Sequence, residues 1–292
     1  MALLFSALCA AARDGVAVVV DVVSYDKARA ELNDYVKALE QKQGYKVYVV
    51  VDRWQVPDSI RAELMALHTQ KHDAIVGAVL VGDIPVPMVR DAQYLTSAFK
   101  MDQTVNRRES SVPSDRFYDD FSLRFRPLGK DDTLPYYYYS LTAEGAQKLS
   151  PDIFSGRIRP TDAGGTSRYD KLRAYLRKAT AAKLNPERFR SVFVFTGDGS
   201  ISESMPAHID EFRGLMEHFP QLAATPEAFS YMNYDDATPI RFSMMNEMMR
   251  PDLSLAMLHH HGDWDTQYLN MRTNDNLTIN EIQKWGFRPN AR

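Results

Sequence analysis

The chain has 292 residues, 45% of them hydrophobic and 25% charged, with a formal net charge of -3. That length carries one large or two ordinary domains with a sizeable core, and the near-neutral charge supplies no field that would gather nucleic acid or an anionic membrane. One cysteine, Cys9, excludes an intrachain disulfide and a four-cysteine zinc site.

Residues 1–13 begin MALLFSALCAAA, too short an apolar run to span a bilayer. It has the length of a signal-peptide hydrophobic region and ends in small residues, although the basic start is missing. It reads as a signal-peptide remnant, which makes the protein secreted, cell-surface or periplasmic. A mis-assigned start or an N-terminal strand extension is the alternative.

Residues 16–23, VAVVVDVV, form a β-branched run of strand length, and residues 25–43 follow with helical periodicity until Gly44. KVYVVV within residues 45–51 predicts a second strand. Pro57 opens a second helix to residue 70, and IVGAVLV, 75–81, predicts a third buried strand. Strands apolar on both faces and alternating with helices indicate an α/β fold with mainly parallel sheets covered by helices.

The rhythm breaks after Gly82-Asp83-Ile84-Pro85. Residues 88–148, with prolines, charges and the run Tyr136 to Tyr139, read as an insertion in a first subdomain of residues 14–148. The tyrosines suit either a stacking platform or an aromatic edge strand packed on the core. A second α/β subdomain, 149–292, is predicted to start with a strand at 153–158 and a helix over 167–182. It continues with the strand SVFVFT at 191–196, a helix over 204–218, a strand at 229–233, a helix over 239–249 and a strand at 253–258.

Polar clusters follow three of these strands, where open α/β sheets bind ligands. Gly197-Asp198-Gly199-Ser200 is either a phosphate cradle or an ordinary strand-to-helix turn. His259-His260-His261 ahead of Gly262 has three readings. If the strand stays extended, His259 and His261 share a face and could bind a metal with Asp263 or Asp265. A histidine general base beside a glycine N–H could serve acyl transfer. Solvated polar residues at a strand end are the third reading. No serine lies in a nucleophile-elbow pattern.

The order of short motifs carries more than any one of them. VLVGDIPVP (79–87), SDRFYDDF (114–121), PDIFSGRI (151–158), YDKLRAYLRKA, VFVFTGDG and LHHHG together resemble the gingipain family of cysteine peptidases over most of residues 16–265. The resemblance implies a caspase-like architecture of two adjacent α/β subdomains, the second incomplete here. It implies that His261 is the catalytic histidine, that Gly262 lines the oxyanion hole, and that Asp152, where the family has an acidic residue, orients the histidine. Asp115 matches a structural aspartate, and Asp162 or Asp170 lies near where an S1 acid is expected.

The family's nucleophile is a cysteine on an apolar strand roughly thirty residues after the histidine, which falls beyond Arg292. The chain is therefore expected to be an inactive fragment of a cysteine endopeptidase acting on protein or peptide substrates. A non-catalytic gingipain-like binding or secretion-associated domain and a His/Asp metal-dependent hydrolase are the alternatives. No cofactor is expected, although structural calcium is known in the family. Asp131-Asp132 and Asp235-Asp236 are the acidic loops that could serve it.

Overall fold

Every residue of β1 (Gly15–Asp21) is buried, the pattern of a central strand covered on both faces, as its valine run predicts. In the computed structural model, which describes residues 12–96, 99, 101–185, 191–197, 217, 229–233, 240–270 and 273–284, β1 lies between β2 (Lys46–Asp52) and β3 (Ile75–Val81). A further strand, β8 (Phe154–Ile158), pairs with β3, and all four are parallel. The order β2-β1-β3-β8 takes the chain first to one side of β1 and then to the other. Right-handed crossovers then put the connecting helices on opposite faces.

Alternate residues of β1 show both faces. Val18 and Val20 pack with Leu32, Tyr35 and Leu39 of α2 (Arg29–Lys42) and with Leu172 and Leu176 of α5 (Arg168–Leu184). Ala17 and Val19 pack with Ile60 and Leu64 of α3 (Pro57–Thr69). The single helix expected over 25–43 is instead two, because α1 (Val22–Lys27) starts directly on the Asp21 cap and the backbone leaves the helix at buried Ala28.

The chain divides into two compact units, Met1–Pro186 and Glu187–Arg292, later than the 148/149 boundary expected. The physical reason is the parallel pairing of Phe154–Ile158 with β3, which extends the first sheet, and α5 then packs beside α2.

The segment expected as an insertion forms a second sheet of the first unit, ordered β5-β4-β7-β6. Its strands are β4 (Val86–Arg90), β5 (Val112–Pro113), β6 (Phe125–Lys130) and β7 (Tyr136–Leu141). The tyrosine run sits in β7, an inner strand paired with both β4 and β6, rather than the predicted edge strand. An inner position suits tyrosines whose hydroxyls have partners. Tyr138 donates to Asp131 Oδ2 at 2.7 Å and Tyr139 to Asp58 Oδ2 at 2.6 Å.

Between β5 and β6, α4 (Arg116–Asp119) and the turn after it form a buried polar knot. Arg61 on α3 donates to the carbonyls of Phe117, Asp120 (3.0 Å) and Leu123 (2.9 Å). Asp120 accepts from Ser150 N–H at 2.7 Å, and Asp152 accepts from Phe121 N–H at 2.6 Å. Phe117, Asp120 and Leu123 are buried, so their carbonyls and the Asp120 carboxylate need donors, whereas Asp152 is exposed.

In the second unit β9 (Val192–Thr196) lies between β10 (Phe229–Asn233) and β11 (Leu255–His259), all parallel. Phe193 and Phe195 of β9 pack with Ile240, Met244 and Met245 of α6 (Ile240–Met248). A separate antiparallel sheet follows, from β12 (His261–Gly262), β13 (Thr266–Asn270) and β14 (Asp275–Thr278), and leads into α7 (Ile279–Lys284). The helix expected over 204–218 falls almost wholly outside the described residues. So do residues 1–11 and 285–292. Among the described residues no helix is long and apolar enough to cross a membrane.

Replacing Arg61 with Met leaves three carbonyls without their charged donor, and urea unfolding of the first unit is expected to lose about 3 kcal/mol. An unchanged midpoint would remove Arg61 from its structural role. Asp119 gives a pH signature: fully buried, with Oδ1 unpartnered, it is pushed from 3.8 up to about 6 by burial. Its raised folded pKa favours the native state below the unfolded value, a contribution lost as pH rises through about 6. Wild type is therefore expected to lose stability, relative to Asp119→Asn, between pH 3.8 and about 6.

Candidate functional site

The apolar run LAMLH pairs with β9 in register, from Leu255 opposite Val192 to His259 opposite Thr196. Gly197 N–H then donates to His259 O at 2.8 Å. At this point the ladder stops. A side chain at position 197 would put its Cβ 2.5 Å from the Cβ of His260 and 3.2 Å from Leu269 O, so only glycine lets the next turn settle onto the end of β9.

His260 is the residue that settles there. Its ring tilts against Phe195 at 6.0 Å between centroids, and its Nδ1 donates to His261 O at 2.8 Å. That bond leaves Nε2 as the unprotonated nitrogen of the neutral ring. Burial lowers the His260 pKa below the usual imidazole value, with the neighbouring His259 and His261 acting in the same direction.

The extended strand assumed for the three histidines is therefore broken at His260, and alternation across a single strand does not describe them. His259 is half-buried at the end of β11, His260 is turned inward, and His261 is exposed on β12. His261 lies opposite Tyr268, and Gly262 opposite Gln267. Asp263 N–H donates to Thr266 O at 2.8 Å and closes the hairpin, whose tip carries Trp264 with 87% of its surface exposed.

Gly262 contrasts with Gly197. A Cβ there would meet nothing nearer than Thr266 O at 3.4 Å, an ordinary contact, and its φ is not positive. Neither backbone conformation nor packing among the described residues requires glycine at 262.

The other candidates have local partners. Asp152 belongs to the first unit, where its N–H donates to Asp119 O at 2.8 Å while its carboxylate holds Phe121 N–H. Asp115 receives Arg157 through both Nε, at 3.1 Å, and Nη2, at 2.7 Å, a structural fork. Asp162 accepts from Arg168 N–H at 2.9 Å at the start of α5, and Asp170 pairs with Arg173 one turn on.

Asp131 has its pKa lowered by the N–H groups and hydroxyls of Thr133, Leu134 and Tyr138. It is a turn-forming side chain. Asp235-Asp236 and residues 198–200 lie outside the described residues. Asp263 accepts from Trp264 N–H and Asp265 from Thr266 Oγ1. Among the described residues no group of three or more His, Cys, Asp or Glu side chains converges as metal ligands would.

What sequence reading missed is the division of labour among the histidines. Its signal was the glycine directly after SVFVFT, which marks a close approach as readily as a cradle. No protein-family model matches the chain, and no curated protein or solved structure matches it.

Gly197→Ala is expected to destabilise the second unit by about 2 kcal/mol, whereas Gly262→Ala changes its stability by less than about 0.5 kcal/mol. Thermal melts of the two variants check this, and equal losses would contradict it. In the same protein, an NMR titration should find the His260 ring protonating at lower pH than a solvated imidazole.

Proposed function

We propose that the chain is the histidine-bearing part of a gingipain-like cysteine endopeptidase of caspase-like fold, exported from the cell, with its nucleophilic cysteine on residues that follow Arg292. The observation that carries the reading is the exposed His261 followed by Gly262 on β12, just past the carboxyl end of the parallel strand β11. At Gly262 neither conformation nor packing explains the glycine. A glycine free of structural duty suits a site where substrate must approach the backbone closely.

In this reading the cysteine thiolate attacks the scissile carbonyl carbon, and Gly262 N–H faces the developing oxyanion. His261 gives its proton to the leaving amine, then takes one from the water that hydrolyses the acyl-enzyme. Asp152, in the first unit, stands where the resembled family has the acidic residue that orients its histidine. His260 contributes by packing on Phe195 and Gly197, which holds the turn that carries His261.

The state of β11 also supports the reading. Among the described residues it is an edge strand, and Leu255 and Leu258 are 38% and 37% exposed. A further strand laid along it would cover them, remove an open edge and end near His261.

One observation favours a second reading. The Asp152 carboxylate already holds Phe121 N–H at 2.6 Å, which suits a non-catalytic gingipain-like domain that kept the fold for binding or secretion.

A peptidyl thiol-reactive probe separates the two. A polypeptide extended about fifty residues past Arg292, the span the proposed strand needs, is expected to be labelled on a cysteine beyond 292. His261→Ala should cut labelling at least about 100-fold without shifting the melt. Absence of labelling, or labelling indifferent to His261, would leave the non-catalytic domain.

A further inference from the structure

The first unit contains a pocket of about 290 Å³ at the carboxyl ends of its parallel strands. Its walls come from the loop after β2 (Trp54), the loop after β3 (Asp83 to Pro85), the residue after β8 (Arg159) and the β6–β7 hairpin (Lys130, Tyr137). The order β2-β1-β3 reverses direction at β1, and open α/β sheets bind ligands in the crevice beside such a reversal.

Two rings are held in place there. Trp54 Nε1 donates to Val20 O at 3.0 Å, which anchors the indole to the end of β1, and Tyr137 donates its hydroxyl to Gln55 O. The aromatic walls are thus formed in advance, so a flat ligand would lose little to side-chain ordering.

The charge balance favours an anion. Lys130 lies 5.5 Å from the Tyr137 ring centroid and has no carboxylate partner among the described residues. Arg159 lies 3.6 Å from Asp83 Oδ1, and that same oxygen already accepts from Arg168 Nη2 at 2.7 Å. Two cations therefore face one acid that a third cation already neutralises.

The pocket also disfavours larger anions. Its volume is at the lower end for ligand sites, which favours a small ligand over a nucleotide. The nearby N–H groups of Val23 and Ser24 at the start of α1 are taken by Asp21 Oδ1, at 3.1 and 3.0 Å, which puts a carboxylate where a phosphate would bind.

We infer that this pocket binds a small planar carboxylate, an aromatic acid whose ring lies against Trp54 and Tyr137 and whose anion meets Lys130 and Arg159. The site is separate from the proposed peptidase chemistry and does not depend on it.

The test is titration of the 292-residue chain with benzoate, followed by the Trp54 indole N–H in ¹H–¹⁵N spectra and assigned with Trp54→Phe. A saturable shift with a dissociation constant of about 0.1–1 mM is expected, and benzamide, the same shape without charge, should bind at least about tenfold more weakly. Lys130→Met and Arg159→Met alter exposed side chains, and each should weaken benzoate about fivefold without changing the free spectrum elsewhere. No saturable shift up to about 10 mM, benzamide binding equal to benzoate, or a Lys130/Arg159 double variant that binds as wild type does would each overturn the inference.

Discussion

In each unit a parallel strand ends at a glycine, and a neighbouring side chain occupies the volume where its Cβ would stand. After β3 the occupant is the Asp21 carboxylate, with Ser24 beside it, and Gly82 takes a φ of 83° to admit them. After β9 it is His260 over Gly197. Side chains can be packed against a strand end this closely only where the strand end has none of its own. The loops that carry the candidate chemistry depend on these two clearances.

The consequences differ because the occupants differ. Asp21 is a carboxylate and collects N–H donors: Val23 and Ser24 at the start of α1, and Asp83 at 2.7 Å across the turn. It ties β1, α1 and the β3 loop into one rigid edge, beside which the Trp54 pocket lies. His260 is aromatic, so it packs on Phe195, and its Nδ1 donates to the next carbonyl. By turning inward it leaves His261 outward on a new strand, and three adjacent residues of one type acquire three environments. Arg61 plays the matching part on the far face of the first sheet, where one guanidinium satisfies carbonyls that the short α4 leaves open.

Much of this was legible in the sequence wherever burial alone decides. The valine run of β1, the IVGAVLV strand and the leucine spacing of α2 and α3 depend on hydrophobic period, and they fold as that period predicts, except that Val22 and Val23, expected in the strand, open α1 on the Asp21 cap. The place of residues 154–158 was not legible, because the same strand could open a new sheet or extend an old one, and only long-range pairing with β3 decides. By sequence alone the tyrosine run suits an aromatic edge strand packed on the core, but its hydroxyls need partners. Asp58 and Asp131, distant or across a hairpin, supply them and allow an inner strand. At the candidate site, the histidine run and its glycine were visible at once. The break at His260 was not, since it follows from a glycine more than sixty residues earlier.

In the peptidase proposed above, His260 packed on Gly197 would turn His261 and Gly262 toward substrate. The most direct measurement is a crystal structure of the extended polypeptide with a peptide aldehyde. The proposed peptidase should give a hemithioacetal on a cysteine beyond residue 292, its oxygen within about 3 Å of Gly262 N and the His261 ring beside the sulfur. An aldehyde bound elsewhere, or a cysteine joined to it while His261 and Gly262 stay clear of both, would contradict that claim.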